Sequence, residues 1–290
     1  MCDTMKKYLI FTVASLLLMP SCLTKKEKPG ELTRTSGEVK LVTLDPGHFH
    51  AALVQKNSYK QVADEVYVYA PEGDDVQEHL NKINGYNTRT DSPTKWKEVV
   101  YLGSDFLEKM LSEKKGNVMI TAGNNGKKTE YIKQTLMAGI HVLADKPMAI
   151  NSENFGLLKE CFDIARGKGI LLYDIMTERH EITTVLQREL SCIPAVYGEQ
   201  LKGTPEEPAI VKESVHHFFK VVSGTPLKRP AWFFDVNQQG EGIVDVMTHL
   251  VDLVQWEAFP EQVIDYTQDI ELLDANRWTT SISPEEFKQV

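Results

Sequence analysis

A lysine that follows an apolar run is the first residue of chemical interest. Asp145-Lys146-Pro147 comes directly after Ile140–Ala144, an apolar segment typical of a strand. A lysine at the carboxyl end of a parallel strand lies over the ligand crevice, where its ammonium can bind a substrate hydroxyl or polarise a carbonyl. Asp145 could tune it, and Pro147 fixes the turn. A solvated lysine in an ordinary turn is the alternative.

A helix near residue 250 carries the second set of candidates. Asp245 and His249 are four positions apart and Asp252 lies one turn further, so all three share one helix face. A histidine beside a carboxylate can act as an acid–base group. A surface ion pair is the alternative, and the same three residues are possible metal ligands. No second strong ligand cluster accompanies them, so we predict no metal site.

The first strand ends in a turn that could bind phosphate. Leu44-Asp-Pro-Gly-His-Phe-His50 precedes a predicted helix, and backbone N–H groups at such a position cradle the pyrophosphate of dinucleotides. Gly47 can fill the middle position of the usual G-x-G-x-x-G pattern, with His48 after it. Asp45 and His50 stand where the outer glycines would be. The Asp45 carboxylate should repel an anionic cofactor unless it points away, and a purely structural turn is the alternative.

Strands and helices alternate six times between residues 38 and 176. The strands are continuous apolar runs, as expected when helices cover both faces of a parallel sheet. We therefore predict a doubly wound α/β domain over 38–176. Ligands bind such sheets outside the carboxyl ends of their strands, which makes Glu72, Thr121 and Asn124 candidate binding residues.

The pattern changes after Thr177. We predict an α+β domain over 177–290, with helices at 181–190 and 242–256 and strands at 195–201, 209–222 and 261–272. The domain is short for an open sheet that must close a substrate site, so we expect further strands beyond Val290.

The N-terminus and the composition limit location and partners. Residues 1–22 have a short basic start and an apolar stretch too short to span a bilayer, and they end in Met-Pro-Ser-Cys22, which resembles a lipoprotein signal. A plain secretory peptide is the alternative. Residues 23–37 are polar and predict a flexible tether, so we expect a lipid-anchored protein of the cell envelope. The net charge of −9, from 32 basic and 41 acidic residues, argues against nucleic-acid binding.

Two of these segments resemble the Gfo/Idh/MocA oxidoreductases, the family of glucose–fructose oxidoreductase and inositol dehydrogenase. Gly139–Pro147 matches the family's G-x-H-V-x-x-E-K-P signature with Asp145 in place of Glu, and Gly240–Asp252 resembles its glycine-rich Asp/His/Asp segment, with Glu241 in place of the middle glycine. The resemblance implies a Rossmann NAD(P) domain and a second domain that holds a sugar-like substrate. It also implies that Lys146 orients substrate and nicotinamide, and that His249, with Asp245 beside it, is the acid–base residue.

The implied reaction removes a hydroxyl proton through His249 while a hydride passes from carbon to the nicotinamide. Glu72 or Asp74 would bind the adenosine ribose, which favours NAD over NADP. The alternatives are an NAD-assisted glycoside hydrolase that forms a transient ketone, and a non-catalytic sugar-binding lipoprotein. We expect a carbohydrate substrate, a homo-oligomer, and membrane contact only through the lipid anchor.

Overall fold

A six-stranded parallel sheet organises the first part of the chain. The computed structural model describes residues 35–176, 178–214, 219–222 and 225–289, so the predicted signal segment 1–22, its Cys22 and most of the predicted tether lie outside the described residues. The sheet has the strand order β3-β2-β1-β4-β5-β6, the doubly wound order of dinucleotide-binding domains. Its strands are β1 (Leu41–Leu44), β2 (Glu65–Ala70), β3 (Lys97–Leu102), β4 (Val118–Thr121), β5 (His141–Asp145) and β6 (Leu172–Ile175).

Helices cover both faces of this sheet. They are α1 (His50–Leu53), α2 (Asp74–Thr88), α3 (Phe106–Glu113), α4 (Asn125–Met137) and α5 (Ser152–Lys168). On one face, Leu44 and Met119 pack with Ile132 and Leu136 of α4. On the other face, Ile120 packs with Ile83 of α2. Each such fully buried side chain stabilises the fold by about 1.5–3 kcal/mol, so the sheet fixes the edge on which the site is built.

The second part of the chain is mainly helical where it is described. It contains α6 (Ile182–Ser191), α7 (Pro194–Tyr197), α8 (Val236–Gln239), α9 (Gly242–Ala258) and α10 (Pro284–Phe287), with 3₁₀ turns at Glu178–His180 and Ala231–Phe234. Its strands among the described residues are β7 (Val221–Val222) and β8 (Thr225–Pro226), which form a two-residue antiparallel pair.

The predicted open sheet of the second part is not formed by the described residues. Segment 195–201 contains helix α7, segment 261–272 has no strand, and the described residues of 209–222 contribute only Val221–Val222. The side chains of Val263 and Leu272 are 96% and 76% exposed, so these apolar residues do not pack against a neighbouring layer of the described chain. The helices predicted at 181–190 and 242–256 are confirmed as α6 and α9.

Residues 231–240 join the two parts at the carboxyl edge of the sheet. Asn125 Nδ2, at the start of α4, donates to Gln239 O at 2.9 Å and Gln239 Oε1 at 3.0 Å. Asn124 Nδ2 donates to Gln238 Oε1 at 2.7 Å. These contacts place α8, and α9 after it, over the strand ends. Among the described residues, no helix is long and apolar enough to cross a membrane.

Candidate active site

Lys146 leaves β5 at the sheet edge and reaches α9. Its Nζ donates to Asp245 O at 2.7 Å and to Asp245 Oδ1 at 2.8 Å. Both side chains are about nine-tenths buried, at 9% and 11% exposure. An ammonium has three hydrogens, so two are used here and one remains for a further acceptor.

His249 lies one turn further along α9 and contacts a residue that the sequence did not suggest. Its Nδ1 is 2.6 Å from Glu178 Oε2, a close charge contact whose angles fall outside those of a hydrogen bond. The contact found at this imidazole is therefore with Glu178, and a direct role of Asp245 beside His249 stays a prediction. Asp245 holds Lys146, and Glu178 faces His249. Asp252 is also engaged elsewhere, because its Oδ2 accepts from Arg179 Nε at 2.6 Å.

These groups meet in one cleft, as the sequence predicts for Lys146 and His249. The cleft has a volume of about 310 Å³ and lies between the sheet edge and α9. Its lining includes three imidazoles, three cationic side chains and two carboxylates: His48, His50, His249, Lys146, Lys220, Arg229, Glu178 and Asp245. Such a polar wall suits a substrate rich in hydroxyl or carboxylate oxygens.

The Asp145 carboxylate binds two histidines of the first turn. Its Oδ2 is 2.9 Å from His48 Nδ1 and its Oδ1 is 2.7 Å from His50 Nδ1. Because an ionised carboxylate only accepts, each imidazole must carry its hydrogen on Nδ1. Burial lowers the pKa of His48 to about 4, so this ring is neutral at pH 7. Burial opposes the charge of Asp145, yet its bonds to the two imidazoles hold its pKa well below the ordinary value.

The Asp145 carboxylate is thus hydrogen-bonded to the first turn, while the Lys146 ammonium is hydrogen-bonded to Asp245. The lysine that supports this turn is Lys128 on α4, which is 1% exposed. Its Nζ donates to Asn125 Oδ1 at 2.5 Å, Asp145 O at 3.1 Å and Pro147 O at 3.2 Å. Burial lowers the pKa of Lys128 to about 8. The bonds to the two backbone carbonyls hold the chain on either side of Lys146 in place.

The first turn is closed in a way the sequence did not predict. The N–H groups of Gly47 and His48 both donate to Ala122 O at 2.9 Å, so they do not point to a ligand. The predicted cradle of these two N–H groups is therefore not present in this conformation. A Cβ at Gly47 would lie 2.9 Å from Asp75 Oδ2 and 3.0 Å from Trp232 Cζ2, so any larger residue would have to displace these two side chains.

Trp232 and Asp75 form the cover of this turn. The indole Nε1 donates to Asp75 Oδ2 at 2.8 Å, which holds the ring of the second part against Gly47 of the first. Asp45 turns away from the crevice, because its Oδ2 accepts from Tyr131 OH at 2.9 Å. Burial raises the pKa of Asp45 above its ordinary value.

The remaining predicted binding residues lie at the ends of β2 and β4. Glu72 is exposed just before α2, and Thr121 is the buried last residue of β4. Asn124 caps α4, since its side chain accepts from Gly126 N at 3.0 Å, and it also binds Gln238. Asn124 thus has two structural partners, whereas Glu72 lies open to solvent.

Sequence reasoning missed Glu178, the Trp232–Asp75 contact and the role of Asp145. Glu178 follows β6 in a short 3₁₀ turn that has no periodic signal. The one usable signal was the His48-Phe-His50 spacing, which places two imidazoles on one turn.

Two family models match the chain. Residues 48–173 match the model described as "Oxidoreductase family, NAD-binding Rossmann fold" (GFO_IDH_MocA), and residues 186–290 match the one described as "Putative oxidoreductase C terminal domain". The matches follow one another in the order of the two parts of the fold. The chain belongs to the Gfo/Idh/MocA family of oxidoreductases.

Solved structures share this fold. A chain from Parabacteroides merdae, named a "putative oxidoreductase", is 77% identical, with a TM-score of 0.83 over 88% of this chain and 58% of that one. The present chain thus spans little more than half the length of that relative. A "putative oxidoreductase" from Thermotoga maritima (15% identity, TM-score 0.54, 76% and 59% covered) and an "NAD-binding protein" from Listeria innocua (17%, 0.50, 76% and 55%) share the fold alone. No curated protein matches the chain.

The first part is therefore an NAD-binding Rossmann domain, as predicted, and its crevice can be compared with a dinucleotide. The exposed carboxylates of Glu72 and Asp74 suit the ribose hydroxyls at one end, and the Lys146 ammonium lies at the other. Gly47 has no side chain to fill the turn, but the Trp232 ring lies against it. The residues fit the cofactor once this indole moves away from Gly47.

Proposed function

We propose that the protein oxidises a hydroxyl group of a sugar or sugar derivative held in the cleft, with NAD as the preferred hydride acceptor. The observation that carries this proposal is the convergence of Lys146 and His249 on one cleft, each in contact with its own carboxylate. The polar lining favours a polyhydroxylated substrate. The bound nicotinamide would supply the hydride acceptor.

His249 is the proposed base. When its imidazole takes the hydroxyl proton it becomes a cation, and the Glu178 carboxylate 2.6 Å away stabilises that charge. Asp245 fixes the direction of the Lys146 ammonium through two of its hydrogens, so the third can bind the substrate oxygen as negative charge develops there. Arg229 and Lys220 add positive charge to the same wall.

The acidic residues after β2 support the preference for NAD. Glu72 and Asp74 are both exposed at the position where a ribose would lie, and two carboxylates there disfavour the additional phosphate of NADP. A place in the cell envelope is a separate proposal, which rests on residues 1–22 of the sequence.

Two measurements test the function. Mass spectrometry of the supernatant of denatured protein should show NAD, or calorimetry should show binding of added NAD. A screen of sugars and sugar acids with NAD should then give NADH absorbance. We expect His249→Ala and Lys146→Ala each to lower kcat by about 10²–10⁴-fold while the fold persists.

His180→Ala is the matched control, because His180 is exposed on the 3₁₀ turn beside Glu178. Its kcat should equal that of the unmodified protein. Full activity in the His249 and Lys146 variants would refute the assignment of the site.

A further inference from the structure

We propose that His48, His50 and Asp145 form a binding site for a divalent first-row transition-metal ion at the wall of the cleft. The proposal goes beyond the redox function and departs from the sequence-based expectation that no metal is bound. One ligand atom from each of the three side chains lies within 4.8 Å of the other two.

The three side chains are held together by the fold. His48 and His50 stand on either side of Phe49 in the first turn, and Asp145 ends β5, nearly a hundred residues later. The two imidazole rings are 4.3 Å apart at 74°. His50 and Asp145 are 6% and 2% exposed, so the set is preformed rather than assembled from mobile surface groups.

Two imidazoles and one carboxylate form a ligand set known for divalent iron, zinc and related ions, and it leaves coordination positions open. The carboxylate oxygens lie 2.7 and 2.9 Å from the two Nδ1 atoms. Neighbouring ligands around an octahedral ion with bonds of about 2.1 Å are separated by about 3 Å. Each nitrogen–oxygen distance is close to that separation, and all three ligand atoms lie within 4.8 Å of one another, so an ion that replaces the shared hydrogens would draw the two imidazoles around it.

The ammonium groups of the two nearby lysines are bonded to other acceptors, and the Asp145 carboxylate is bonded to the two imidazoles. Lys146 donates to Asp245, and Lys128 donates to Asn125 and to the backbone of Asp145 and Pro147. The anions of Asp145, Asp245 and Glu178 offset part of the positive charge that the ion would add. The Asp145 carboxylate is therefore bonded to two histidines, whereas the buried Asp245 carboxylate is bonded to a lysine.

Both histidines line the cleft that also contains Lys146 and His249. Open positions on the ion would then face the same space as the proposed base. The class of ligand expected there is an oxygen donor, such as a pair of neighbouring hydroxyls or a carboxylate.

Cobalt(II) titration of the full, untagged chain tests the proposal. The protein is first stripped with a chelator, and binding is followed by calorimetry and by visible absorption, which reports the coordination of Co²⁺ independently of activity. We expect saturation at one equivalent, displacement by Zn²⁺, and Kd values at least about 100-fold higher in His50→Gln and Asp145→Asn.

His180→Ala and Cys192→Ser are the controls, because they remove an exposed imidazole and an exposed thiol elsewhere. Both should bind Co²⁺ as the unmodified protein does. The proposal is overturned if the unmodified chain shows no saturable binding. It is also overturned if binding survives in the folded His50→Gln variant, or if His249→Ala removes binding and His50→Gln does not. Circular dichroism establishes folding, and His50→Gln decides the matter if Asp145→Asn does not fold.

Discussion

At the residue scale, the site consists of buried charged groups whose partners come from distant parts of the chain. Lys146 and Asp245 are 99 positions apart, and His50 and Asp145 are 95 apart. A buried charge without a partner costs several kcal/mol, so the Lys146–Asp245 contact constrains how the two parts of the fold meet, and the His50–Asp145 contact fixes the first turn against the end of β5. The chemistry proposed for the cleft depends on these pairs, because they fix the charge and the direction of each reactive group.

Glu178→Gln is expected to lower kcat by about tenfold or more and to leave KM nearly unchanged. The amide keeps the size of the side chain but cannot stabilise the imidazolium that forms when His249 takes a proton. Steady-state kinetics on the sugar found in the screen would measure both constants. Glu181→Gln, an exposed helix-capping position, is the control. A rise in KM at constant kcat would instead indicate that Glu178 binds substrate.

Glu98 makes the fold sensitive to pH outside the site. Burial raises its pKa to about 7 from 4.5, and its Oε1 accepts from Gln55 Nε2 at 2.6 Å. Between these two values the folded chain holds a proton that the unfolded chain releases. The free energy of unfolding should therefore fall by about 2–3 kcal/mol as the pH rises from about 5 to about 8.

Glu98→Gln should remove this loss, because the amide stays neutral and can still pair with Gln55. Urea unfolding at about pH 5 and about pH 8 measures the free energy of unfolding of both proteins. We expect the variant to gain stability at pH 8 and little at pH 5. An equal gain at both pH values would show that packing, and not ionisation, is responsible.

At the scale of elements, the sequence predicted what depends on local pattern. The six strands could be predicted because each contains an apolar run bounded by turn residues. Helix α9 could be predicted because its apolar residues recur at helical spacing. The resemblance to the Gfo/Idh/MocA family, and not the local pattern, implied that Lys146 and His249 share one site. The fold of 195–201 and 261–272 was not predictable, since apolar alternation favours a strand only where a neighbouring strand pairs with it. Glu178 and the Trp232–Asp75 contact were missed because both depend on how distant parts of the chain pack together.

The Ala231–Phe234 turn covers the dinucleotide crevice, and its effect on cofactor binding can be measured. Trp232→Phe removes the hydrogen bond to Asp75, which holds the ring over Gly47. A bond to a charged group contributes about 1.5 kcal/mol or more, so opening should become easier and the Kd for NAD should fall about tenfold. Calorimetric titration with NAD measures this.

Trp256→Phe is the matched control, because this half-buried ring lies on α9 and stacks with Arg188 at 4.8 Å. Its NAD affinity should not change. Weaker binding by Trp232→Phe would show that the indole contacts the cofactor rather than excluding it.

At the scale of the whole molecule, the polar contacts that couple the Rossmann domain to the helical part include Lys146–Asp245, Asn124–Gln238, Asn125–Gln239 and Trp232–Asp75. The first lies at the cleft, so the site and the junction between the parts share a residue pair. Loss of the Lys146–Asp245 pair should therefore affect the cooperativity of unfolding as well as catalysis. The Arg179–Asp252 pair lies within the second part, with the arginine 30% exposed, and offers a contrast.

Asp245→Ala should lower the free energy of unfolding by about 3 kcal/mol or more, because it leaves the Lys146 ammonium buried without its carboxylate. Asp252→Ala, whose partner is more exposed, should cost about 1 kcal/mol. Urea unfolding followed by both circular dichroism and tryptophan fluorescence measures the two losses. We further expect the two probes to report separate transitions only for Asp245→Ala, since the helical part then loses its main charged contact with the sheet edge. Coincident transitions with equal losses in both variants would show that the buried pair does not join the two parts.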